Sequence, residues 1–197
     1  IASAALMNLF KKQRDAVGLS LYSDKVEFHS ESKTTNKHHI ALQSQLLDVV
    51  NNPSEFKQTS SVESIHQIAS KLHKRSLVLF FTDMLEGVED LSEIFSALHH
   101  LKFNKHEVIL FHLSENKTEF QLDFKNSPYK FIDIETKEEI KLNPEELKEE
   151  YKKRSDLFLK ELKIRCLQHK IDLVEIDISK GVEHVLISYL LKRQKMF

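Results

Sequence analysis

The chain has 197 residues, long enough for one full-sized core and short for two, so a single domain over residues 1–197 is expected. A hydrophobic fraction of 41% excludes disorder as the overall state, and 29 Lys and Arg against 30 Asp and Glu leave a net charge of -1, without the electrostatic drive of a non-specific nucleic-acid binder. The single cysteine, Cys166, excludes an intrachain disulfide and points to a reducing, cytoplasmic compartment. No apolar run approaches the ~20 residues that span a bilayer, and three Gly are too few for the Gly-rich loops of nucleotide sites.

In chain order, Ile1, Ala2, Ala5, Leu6, Leu9 and Phe10 recur on one face of a helix that Lys11 and Lys12 close. Residues 16–22 and 26–28, split by Ser23-Asp24-Lys25, predict a strand pair. A polar loop over 29–37 leads to a helix carrying Ile40, Leu42, Leu46, Leu47, Val49 and Val50, which ends near Asn51-Asn52-Pro53. Ser60-Ser61-Val62-Glu63 has the form of a capping box before a helix with Ile65, Ala69 and Leu72 on one face. The unbroken apolar run 76–81 is of strand length and is the best candidate for a central strand covered on both faces. Leu91, Ile94, Phe95, Leu98 and Leu101 predict the next helix, and 107–113 a second buried strand.

Short alternating pieces at 119–124, 129–134 and 139–142 predict an antiparallel excursion. Asn143-Pro144-Glu145-Glu146 combines an N-cap, a proline at the first helical position and first-turn acids, opening a long helix toward His169. A strand at 171–176 and a last helix carrying Val182, Val185, Leu186, Tyr189 and Leu190 follow. Strands alternating with helices predict a three-layer, mostly parallel α/β domain.

In such sheets ligands bind beyond the carboxyl ends of the strands, which draws attention to Thr82-Asp83. Hard cations such as Mg2+ are held by a few carboxylate and hydroxyl oxygens plus water, and Thr59, Ser60 and Ser61 could offer hydroxyls. The plainer alternative makes Asp83 a turn or helix cap and Ser60 an N-cap. None of the 11 histidines forms an i,i+4 pair on a helix, so they read as scattered rather than zinc-binding. Cys166 continues the progression Phe158, Leu162, and is assigned to the core.

Four stretches carry a resemblance: Gln13-Arg14-Asp15-Ala16-Val17-Gly18-Leu19, Arg75-Ser76-Leu77-Val78-Leu79-Phe80-Phe81-Thr82-Asp83, His106-Glu107-Val108-Ile109 and Phe131-Ile132-Asp133-Ile134-Glu135-Thr136. Together they resemble a von Willebrand factor A-type domain and, more narrowly, the bacterial family called domain of unknown function 58. The resemblance implies a doubly wound α/β fold with a metal-ion-dependent adhesion site at the C-terminal edge of the strands. There an Asp-x-Ser-x-Ser loop, a threonine and an aspartate hold the ion; Thr59 matches the threonine, with Ser60 beside it, and Asp83 the aspartate. The Asp-x-Ser-x-Ser element, and the usual first strand that lies centrally in the sheet, would precede Ile1. An N-terminally truncated domain is therefore expected, with another strand or chain in that slot and with Mg2+ or Mn2+ bound weakly or not at all.

The same resemblance implies a non-enzymatic protein-protein interaction domain working with a MoxR-type AAA+ ATPase. Two alternatives stand beside it: a metal-dependent hydrolase with Asp83 as ligand and His112 as base, and a structural domain with a degenerate site.

Overall fold

The computed structural model describes residues 1–23, 25–52, 61–72, 75–83, 91–121, 124, 127–132, 139–181, 183, 187 and 189–191. They fall in two compact units, one made of 1–73 with 182–197 and the other of 74–181.

The first unit holds α1 (Ala2–Lys12), β1 (Ser20–Tyr22), β2 (Val26–His29), α2 (Asn36–Asn51) and α3 (Ser61–Lys71). The apolar face of α1 buries Leu6 and Met7. Thr35 caps α2 by accepting the His38 N–H at 3.3 Å. His39 Nε2 and Gln43 Nε2 both donate to Asn8 Oδ1, at 3.0 and 3.1 Å, which fixes α2 against α1. The expected strand pair forms as an antiparallel ladder, with Ser20 opposite His29 and Leu21 opposite Phe28. It starts later than the apolar run suggested: Val17 makes only an isolated bridge to Lys33. Gly18 lies against the facing segment so closely that a Cβ there would stand 2.8 Å from the Ser30 carbonyl oxygen. Gly18→Ala is therefore expected to cost about 1–3 kcal/mol, read as a lower urea midpoint, because backbone must shift to admit the methyl group. The last predicted helix is helical at Glu183, Ile187 and residues 189–191, and its fully buried Tyr189 meets Phe10 edge-on with ring centroids 5.7 Å apart.

The second unit holds β3 (Leu77–Thr82), α4 (Leu91–Phe103), β4 (Glu107–Ser114), β5 (Tyr129–Ile132), β6 (Glu139–Leu142), α5 (Pro144–Gln168) and β7 (Asp172–Asp177). It is α/β: β3, β4 and β7 form a parallel sheet in that spatial order, and β5 and β6 an antiparallel hairpin. The middle of the described sheet is β4, not β3. Leu110 and Phe111 of β4 are fully buried, whereas most of β3 is half-buried, with only Phe80 reaching the core. The run in β3 is the less interrupted of the two, since β4 includes Glu107, His112 and Ser114; which one becomes central is set by pairing partners far away in the chain. The predicted face of α4 is buried throughout, at Leu91, Ile94, Phe95, Leu98 and Leu101.

Asn143 caps α5 as expected, its Oδ1 accepting the Glu145 N–H at 3.3 Å ahead of Pro144. Leu162 and Cys166 turn into the core. The expected strand at 119–124 is corrected: Asn116–Phe120 forms one π-helical turn, closed by the Gln121 N–H on the Asn116 carbonyl at 3.1 Å. Thr118 Oγ1 donates to Glu115 Oε2 at 2.8 Å within that turn, and local bonds of this kind compete with extended backbone.

Candidate functional site at the C-terminal edge of the parallel sheet

The carboxyl ends of β3, β4 and β7 bring together residues that are far apart in sequence. Register places Thr82 beside His112 and His112 beside Glu175, with Ser114 and Asp177 paired two residues further along. Asp83 follows the last residue of β3 and is exposed. The candidate carboxylate therefore sits at the open end of a strand, as its position after an apolar run implied. Thr59, Ser60 and the residues 133–136 of the hairpin motif lie outside the described residues.

His112 is the buried member of this edge, 1% exposed. Its ring hydrogen-bonds the Asp83 backbone and packs against Phe120 of the π-helical turn and Phe158 of α5, with centroids 6.4 and 6.1 Å away. Its Nε2 has no hydrogen-bond partner among the described residues. Burial pushes the imidazole below its ordinary pKa, outweighing the Asp83 backbone bond and the Glu175 and Asp83 carboxylates. Glu175 itself pairs with Lys163 of α5 at 2.7 Å. The ring, packed against two phenylalanines, thus anchors the Asp83 backbone just past β3.

At the far side of the edge, Asp177 uses both carboxylate oxygens inside the fold. Oδ1 accepts the Ser179 N–H at 3.1 Å and the Ser179 hydroxyl at 2.7 Å, while Oδ2 accepts Asn116 Nδ2 at 3.1 Å and lies 3.8 Å from Lys180 Nζ. These bonds, Ser179's hydroxyl first, hold Asp177 below the usual carboxylate pKa. Sequence reasoning passed over this cluster. The Asp177-x-Ser179 spacing is a recognisable turn signal, but Asn116, 61 residues earlier, is not.

Among the described residues no group of three or more His, Cys, Asp or Glu side chains is placed to hold a metal ion. Asp83 alone is too small a donor set for a hard cation, which takes six or more oxygens, water included. No described helix is long and apolar enough to cross a membrane.

A family model described as "Protein of unknown function DUF58" matches residues 1–157. No curated protein and no solved structure matches the chain.

Proposed function

The chain belongs to the DUF58 family, and on that premise we propose that it is a non-enzymatic protein-protein interaction domain of von Willebrand factor A-like architecture, docking partners at the C-terminal edge of its parallel sheet. The observation that carries this reading is the exposed Asp83 directly past β3, held at its backbone by a histidine that is itself locked in the core. A carboxylate presented by a rigid strand end serves recognition, since its position costs little ordering when a partner arrives. Asp83, with the hydroxyls of Thr59 and Ser60, is the set that would contact Mg2+ or Mn2+; as one carboxylate it binds such an ion weakly until a partner adds acidic oxygens. A MoxR-type AAA+ ATPase is the partner we propose to test first, in a reducing, cytoplasmic setting.

Asp83→Ala is expected to abolish capture of the purified ATPase while leaving the urea midpoint within about 0.5 kcal/mol of the parent, as for an exposed side chain. Capture that survives this substitution, with and without Mg2+, defeats the docking assignment. Titration of Mg2+ into the chain alone should give weak or no binding heat.

A further inference from the structure

The opposite, N-terminal edge of the same sheet carries a row of cations in an unusual backbone state. Arg75, Lys105 and Lys170 each lie two residues before the first residue of β3, β4 and β7, and each has positive φ, at 63°, 64° and 55°. Lys105 and Lys170 close α4 and α5 in the same way. The Lys105 and His106 N–H groups return to the carbonyls of Lys102 and Leu101 at 2.9 and 3.1 Å. Those of Lys170 and Ile171 return to Leu167 and Cys166 at 3.2 and 2.8 Å. Glycine is the residue that fits this position without strain. A cation near a helix C-terminus also offsets the dipole, but the last turns already hold Lys102 and Arg165 for that purpose. Arg75, Lys105 and Lys170 are all exposed and, like Lys102, form no ion pair among the described residues. The acids on this edge are Glu107 and Asp172, at the starts of β4 and β7.

We propose that this edge is a second docking surface, independent of the Asp83 edge, that takes a short acidic segment of a partner protein. Adjacent strands lie about 4.8 Å apart, so the three cations span roughly 10 Å, the reach of a few carboxylates in an extended peptide and too short to track a nucleic-acid backbone. The net charge of -1 adds no long-range attraction for a polyanion.

The test uses the full chain and a fluorescent peptide of alternating Glu and Ser, followed by anisotropy. Arg75→Gly, Lys105→Gly and Lys170→Gly combined remove the charges while suiting the backbone, and Asn at all three positions, which also tolerates this conformation, gives a second neutral set. The expected result is salt-sensitive binding that either set weakens about tenfold, with a urea midpoint no lower for the Gly set and no change in peptide affinity for Asp83→Ala. Absence of peptide binding, or binding that both neutral sets leave intact, overturns the proposal. So does tighter binding of a single-stranded oligonucleotide of equal charge.

Discussion

Phe111→Ala is expected to destabilise the second unit by about 3–5 kcal/mol, while Phe81→Ala costs less than half as much. The two rings stack on neighbouring strands, centroids 4.6 Å apart and planes 9° from parallel, so they share one contact and differ in everything else. Phe111 is fully buried in β4, which has a strand on each side; Phe81 is half-buried in β3, an edge of the described sheet. Truncating the first leaves a cavity in a strand paired on both sides, where the surroundings relax only in part. Truncating the second opens a site that solvent and side chains can refill. Urea unfolding with hydrogen exchange of the β4 amides measures both. Equal losses would show that β3 is as enclosed as β4, and would restore the central position its apolar run suggested.

That contrast also marks how far the residues themselves disclose the fold. Spacing alone locates α4, because Leu91, Ile94, Phe95, Leu98 and Leu101 repeat at helical period and all five are buried. The cap of α5 is written in three consecutive residues, Asn143, Pro144 and Glu145. The order of strands is not local information: nothing within 76–82 states that β4, and not another strand, will flank it. Alternation over 119–124 does not settle the backbone for a related reason, since one π-helical turn also brings Phe120 against His112. At the candidate site, Asp83 is legible because it ends an apolar run. The burial of His112 is not, since a histidine in a strand faces core or solvent according to a register that only the folded sheet sets.

The two edges of the parallel sheet differ in charge as they differ in position. Asp83, Glu115, Glu175 and Asp177 gather at or near one end, with Lys163 and Lys180 against Glu175 and Asp177; Arg75, Lys102, Lys105 and Lys170 gather at the other, beside Glu107 and Asp172. A sheet whose strands all run one way makes this separation inexpensive, because every loop entering a strand falls on one side and every loop leaving it on the other. A nearly neutral chain can thus present two faces of opposite sign.

Acidification from pH 7.5 to 5.5 is expected to lower stability, with His106 as a principal cause. His106 is 2% exposed; its Nδ1 accepts the Ser76 N–H at 3.2 Å, and its Nε2 has no hydrogen-bond partner among the described residues. Burial, reinforced by repulsion from His100, lowers its pKa. Burial is also the leading cause of the lowered pKa of His29, His39 and His169, to which nearby Lys71, Lys11 and His99 add. Above pH ~6.5 these groups are neutral in both folded and unfolded chains and contribute no pH dependence. Below it the unfolded chain takes up protons that the native state refuses, so stability falls as pH falls until the native pKa is reached. The slope for each histidine that stays neutral approaches about 1.4 kcal/mol per pH unit. Asp177 acts in a separate, lower window: its depressed pKa gives stability that is complete above its ordinary value of 3.8 and is lost as pH falls through the native value. His106→Asn keeps an acceptor near the Ser76 N–H and cannot titrate, so urea midpoints of this variant should decline less steeply between pH 7.5 and 5.5. A decline as steep as the parent's would remove His106 as a source of the acid sensitivity.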